Sequence, residues 1–244
     1  MLIALLAAIG AVFALWPNLD LAVSHEFYDY GGFLGAGLAA RFARDVFRIG
    51  PFVVLAFFVA RYLQRRFGVG VEARLKQARR RYGRLGALLA RGGAWLLGNP
   101  AAASWAPDGR AIVFLVASMA IGSGLIVNLG MKDHLHRPRP VQTEDFGGPD
   151  EFRPWYRFDG GCNKNCGFPS GEASSGFWLV APAMLVPPPY RGVALASALV
   201  FGVGTSLLRL AFGGHYLSDV VMGGLISLIV IFAVRSIVWP RGAP

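Results

Sequence analysis

An all-α fold is predicted, a polytopic membrane protein built as a six-transmembrane-helix bundle with one elaborated outer loop, and three observations predict it. The 244 residues are 55% apolar and only 16% charged, against about 45–50% and about 25% in soluble domains. Mean hydropathy is +0.48. The apolar residues gather in six runs, 1–16, 46–63, 110–131, 173–187, 193–210 and 219–239, most of them near the roughly 20 residues with which a helix crosses hydrocarbon with every backbone bond internal.

The first run, MLIALLAAIGAVFALW, lacks the basic start and the small-residue cleavage site of a signal peptide, so it is expected as a retained helix. The third and sixth runs are the clearest spans. The fourth is short and ends in VPPPYR, where three consecutive prolines cannot continue a helix. Its helix is therefore expected to begin back at Ser170 or Gly171. No internal repeat, low-complexity tract or separate soluble domain interrupts the chain, which reads as a single membrane domain over residues 1–244.

Orientation follows from charge. Residues 61–91 hold ten Lys or Arg against one acid, Glu72, and such an excess marks the cytoplasmic side. Alternation then sends three segments outward, roughly 17–45, 132–172 and 211–218. Arg41, Arg44 and Arg48 in the first of these are offset by Asp20, Glu26, Asp29 and Asp45. The formal charge of +10 comes mostly from the inner loop and suits anionic lipid rather than nucleic acid. Residues 92–106, with Trp95 and Trp105, are expected as an interfacial stretch. Cys162 and Cys166 share the outer loop, where an oxidising compartment favours a disulfide; no further Cys or His lies close enough in sequence to complete a zinc set.

Three polar clusters fall at the outer ends of helices, where charge near a bilayer is costly and usually has a use. They are KDHLHRPRP (132–140), PSGE (169–172) and RLAFGGHYLSD (209–219). Lys132, Arg139 and Arg209 supply three cations, of which the arginines grip phosphate oxygens through a planar fork. Ser170 and Gly171 open a helix whose free N–H groups favour an anion. His215 and Asp219 stand at i, i+4, so that on a helix the carboxylate holds one ring nitrogen and leaves the other free to attack phosphorus.

Those clusters fit K-x6-R-P, a variant of P-S-G-H, and R-x5-H-x3-D, and their order resembles that of the type 2 phosphatidic acid phosphatase superfamily, in its membrane branch. The resemblance implies a metal-independent lipid phosphatase of the bacterial inner membrane, with no cofactor, no obligate protein partner, and an active site facing the periplasm. It implies His215 as nucleophile, Asp219 as its orienting partner, and Lys132, Arg139, Ser170, Gly171 and Arg209 as the phosphate site. Two residues depart from the pattern. Leu208 stands where Ser usually precedes the Arg, with Thr205 and Ser206 nearby. Glu172 stands where a His usually protonates the leaving oxygen.

A protonated Glu172 would serve as general acid, its pKa raised by burial and by a neighbouring phosphate; a bland alternative is a carboxylate complementing a helix N-terminus. On that alternative His134 or His136 would give the proton. The stretch CNKNCGFPSGEAS resembles the lipid A phosphatase branch, particularly 1-phosphatases, with undecaprenyl diphosphate or phosphatidylglycerophosphate as alternative substrates and a lipid phosphotransferase as an alternative activity.

Overall fold

The computed structural model describes residues 1–29, 31–67, 83 and 107–240. The interfacial stretch expected at 92–106 and most of the basic loop lie outside the described residues. Two compact units are present, Met1–Pro51 with Phe114–Pro244, and Phe52–Val113.

Helices dominate. In chain order they are α1 (Leu2–Leu15), α2 (Asn18–His25), α3 (Leu38–Phe67), α4 (Gly109–Met131), α5 (Gly171–Trp178), α6 (Val180–Met184), α7 (Pro188–Ala211) and α8 (Leu217–Val238). Four of them, α3, α4, α7 and α8, are long and apolar enough to cross a membrane. The pair α1 and α2, bent by 83° at Trp16–Pro17, passes the same test only when taken together. The fourth apolar run folds as α5 and α6, neither long enough to span by itself; three prolines end it at Pro187. Helix α3 starts well before the run predicted at 46–63, because Leu38–Asp45 continues the helix beyond the strictly apolar stretch and carries Arg41 and Arg44. A small hairpin, Tyr28–Asp29 with Gly32–Phe33, is the only regular sheet among the described residues.

In the first unit α5 packs against both α7 and α8, and the C-terminal half of α4 closes on α5 and α8. Phe177 of α5 sits between Gly202 of α7 and Gly224 of α8. Trp178 is fully buried and its indole N–H donates to Ser118 Oγ of α4 at 2.9 Å. The second half of α4, Ala120–Met131, is wound as a π-helix, a rare form often found near functional sites. Asn128 Nδ2 donates to the Ser123 carbonyl at 2.6 Å there, and the Lys132 amide reaches back to Val127 O at 3.1 Å. That winding delivers Lys132 to the end of the span.

The segment 132–170 is tied down along its length. Thr143 hydroxyl meets the Tyr216 hydroxyl at 3.1 Å, Trp155 Nε1 donates to Gly10 O of α1 at 3.2 Å, and Phe146 packs with Phe33 and Tyr216. Cys162 and Cys166 are joined by a disulfide with Cα atoms 5.6 Å apart.

Trp178→Ala removes a fully buried ring and the hydrogen bond that Ser118 accepts from it, and is expected to destabilise the protein by about 3–5 kcal/mol. Thermal unfolding in detergent, read against Trp178→Phe as the milder change, measures it.

Candidate active site

Backbone hydrogen bonds staple the three sequence clusters to one another. Gly167 N–H donates to Arg137 O at 2.8 Å and Cys162 N–H to His136 O at 3.3 Å, zipping the cysteine loop onto 132–140. Ser170 N–H donates to Asp219 O at 3.0 Å, joining the second cluster to the third, and Val141 N–H donates to Gly213 O at 3.0 Å, joining the first to the third. Segments far apart in sequence thus share one end of the bundle.

His215 is buried in the turn between α7 and α8. Its Nδ1 lies 2.6 Å from Gly167 O. A carbonyl only accepts, so Nδ1 carries the proton and Nε2 of the neutral ring keeps its lone pair. Burial first, then the charges of Arg209, Arg139 and Lys132, hold the imidazole's pKa well below its ordinary value. Three cations are therefore close enough to act on the ring. Asp219 Oδ2 stands 3.5 Å from the same Nδ1 and accepts Tyr216 N–H at 2.8 Å, while Oδ1 is taken by Arg137. Gly167, not Asp219, makes the shorter contact to the imidazole.

The cations are held differently. Arg139 spends Nε and Nη2 on Asn165 O, at 3.1 and 2.6 Å. Arg209 is almost fully buried, and its Nε has no hydrogen-bond partner; a buried guanidinium N–H left unmet is poised for an anion. Its approach depends on glycine, because a Cβ on Gly214 would overlap Arg209 Nη2. Burial, with Arg139 and Arg209 nearby, lowers the Lys132 pKa to about 8.

Ser170 caps α5, its Oγ accepting Ala173 N–H at 3.3 Å, and Gly171 lies against the Asn128 amide where a side chain would collide. Beside them Glu172 accepts Arg44 Nη2 at 2.8 Å and lies 3.7 Å from Arg209 Nη1. The Arg44 hydrogen bond and the nearby Arg209 charge offset the burial of this carboxylate. The resting Glu172 is an anion among guanidinium groups, not the neutral acid that burial by itself would give. Thr205 and Ser206 donate to Phe201 O and Gly202 O, both at 2.9 Å, one turn back in α7. Neither hydroxyl replaces the one missing at Leu208. His134 is exposed, and His136 Nδ1 is engaged with Cys162 O at 2.9 Å.

This constellation lies within residues 111–243 apart from Arg44 and Asp20, and that same stretch matches the PAP2 superfamily model. The chain belongs to the PAP2 superfamily. Among curated relatives it is similar to the Lipid A 4'-phosphatase of Francisella tularensis subsp. novicida (strain U112), 41% identical over 133 residues covering 54% of this chain and 60% of the relative. It is likewise similar to the Lipid A 4'-phosphatase of Rhizobium leguminosarum, 42% identical over 122 residues covering 50% of this chain and 52% of the relative. A third, from Rhizobium etli, is 41% identical over 122 residues, 50% and 48% of the two chains. The match spans about half the length of these relatives. No solved structure matches the chain.

Four PAP2 site neighbours escape a motif reading: Arg44, Asp20, Arg137 and Gly167. Arg44 lies outside the apolar run at 46–63, among charges that balance on the segment before it, and only the extension of α3 back to Leu38 puts it inside a helix apolar enough to span, where a cation rarely lacks a partner. Arg137 lies inside the first cluster but outside its fixed spacing, and Gly167 acts through its carbonyl, which no side-chain pattern reveals.

Lys132 carries its charge below pH 8 and loses it above. Phosphate affinity should therefore hold through neutrality and weaken as pH rises past about 8. Inhibition by inorganic phosphate measured from pH 6.5 to 9 tests this, and Lys132→Arg is expected to remove the alkaline weakening.

Proposed function

We propose that this protein is a membrane phosphatase that removes a phosphate monoester from lipid A through a phosphohistidine on His215. The observation that carries the reading is the His215 ring itself, neutral, with Nδ1–H committed to Gly167 O and Nε2 left unprotonated within the field of Lys132, Arg139 and Arg209. Nε2 attacks phosphorus, the bond from phosphorus to the lipid oxygen breaks, and that oxygen takes a proton. Water then attacks the phosphoryl group, inorganic phosphate departs, and Nε2 is restored.

Lys132, Arg139 and Arg209, with the Ser170–Gly171 helix start, are the phosphate-binding groups. They place fixed positive charge where phosphoryl oxygens gather it, the work a Mg²⁺ ion performs elsewhere. Asp219 steadies the imidazole as it becomes cationic. Glu172 is the proton donor once a phosphate dianion, entering beside it, competes for Arg209 and draws a proton onto the carboxylate.

A lipid substrate is supported by an apolar cavity of about 270 Å³ between α7 and α8, lined by Leu210, which follows Arg209, and by Leu217, two residues after His215. The reading takes residues 1–244 as one domain with six spans, α1–α2 first and α5–α6 fourth, in a bacterial inner membrane with the site on the periplasmic face. The names of the three relatives favour the 4'-phosphate. The 1-phosphate, expected from CNKNCGFPSGEAS, stands second.

Purified protein given lipid A bisphosphate, with products resolved by mass spectrometry, is expected to yield the species lacking the 4'-phosphate, with chelator present or absent. His215→Ala should abolish release, and Glu172→Gln should lower kcat by about 10²–10⁴-fold with less change in KM. Release from undecaprenyl diphosphate alone, or full turnover by His215→Ala, overturns the reading. Loss of the 1-phosphate alone reassigns the position.

A further inference from the structure

Beneath the nucleophile lies a charge cluster of which the phosphatase reading uses only Asp219. Arg137 is fully buried. Its Nη2 donates to Asp20 Oδ2 at 2.7 Å, its Nη1 donates to Asp219 Oδ1 and to Ser218 Oγ at 2.7 Å, and its Nε donates to Arg153 O at 2.8 Å. Its guanidinium carbon stands 4.4 Å from the centre of the Tyr216 ring. Asp20, 1% exposed, also accepts Ser218 N–H at 2.8 Å and Ser218 Oγ–H at 2.6 Å. Ser218 is thereby consistent in both roles, donating to Asp20 and accepting from Arg137.

Two features of this arrangement bear on His215. Every contact made by the two carboxylates comes from a donor, the pattern of ionised groups that only accept. Two buried anions share one cation, so the cluster carries one negative charge in excess, and Asp219, the carboxylate nearer the ring, belongs to it. When Nε2 bonds to phosphorus while Nδ1 keeps its proton, the imidazole becomes cationic. A fixed negative charge behind it stabilises that state more than the resting neutral ring, which is the condition for lowering a barrier rather than merely tightening binding.

We propose that Asp20 and Arg137 are positioning residues for the phosphoryl transfer: Arg137 aligns Asp219 behind the His215 ring, and Asp20 shares the Arg137 charge so that Asp219 stays effectively anionic. The proposal rests on the phosphohistidine reading above. Without Asp20 the guanidinium pairs wholly with Asp219 and cancels it. Ser218 couples the two carboxylates by fixing the start of α8 to Asp20, so the residue next to Asp219 cannot drift from the cluster.

The test is Asp20→Asn in the full-length protein, with Asp20→Glu as the conservative partner. Both are compared with wild type for thermal unfolding, steady-state turnover of a lipid phosphate, inhibition by inorganic phosphate, and the rate at which labelled phosphoenzyme forms, trapped by an alkaline quench that preserves the acid-labile, alkali-stable phosphohistidine. Asp20→Asn is expected to slow phosphoenzyme formation and kcat at least about tenfold, the scale on which outer partners of a functional imidazole act, with KM and phosphate inhibition within about twofold of wild type. Asp20→Glu should recover part of the loss.

If Asp20→Asn does not fold, Ser218→Ala takes its place, since it leaves all three charges present; it is expected to lower kcat at unchanged KM. Phosphoenzyme formation at the wild-type rate in a folded Asp20→Asn or Ser218→Ala protein overturns the proposal and leaves the phosphatase reading standing. Equal losses in phosphate binding and in turnover overturn it as well, because they mark a structural defect. A wild-type protein that turns over lipid phosphate yet never traps label on His215 overturns both.

Discussion

Taking the Arg137 guanidinium out of water costs several kcal/mol unless charge and geometry compensate it, and that demand governs how distant parts of the chain must meet. Its partners come from α2, from the start of α8 and from the outer loop. None of the three can satisfy the fork alone. Withdrawing one would strand a buried charge, a loss of about 3–5 kcal/mol in comparable cases. The same partners hold the turn containing His215, so stability and the placement of that ring depend on one set of contacts.

Above this layer the electrostatics reverse. Lys132, Arg139, Arg209 and Arg44 gather around a volume in which they repel one another, and Glu172 is the anion that lies among them. Its bond to Arg44 explains how a carboxylate sits at a helix start shaped for an anion: two guanidinium groups neutralise it. A phosphate bound among these groups would share their charge with Glu172, and the proposed proton transfer rests on that competition.

Much of this was legible in the sequence where function imposes fixed spacing. Lys132, Arg139, Arg209, His215 and Asp219 stood out by motif spacing, and the structure brings their segments to one end of the bundle; the third and sixth apolar runs stood out because α4 and α8 are nearly uninterrupted. What stayed hidden depends on tertiary approach. Asp20 and Arg44 looked like charges balancing one another on an outer segment, whereas each crosses to a partner more than a hundred residues away. The fourth run starts and ends where its Ser-Gly opening and its prolines place it, but the sequence did not show that it breaks at Leu179 into two short helices, α5 and α6. Glu172 showed burial but not Arg44, and the second decides its charge.

The contacts of Asp20 and Arg44 bear on modularity. Both residues precede the stretch that defines the superfamily, yet one partners a guanidinium enclosed beneath the catalytic turn and the other the carboxylate at its mouth. Excising residues 111–243 as a minimal unit would retain every signature motif and lose the counter-ions on two sides of them. Asp20 and Arg44 thus tie the amino-terminal helices to the motif-bearing stretch, and a comparison confined to residues 111–243 leaves both of these charges out.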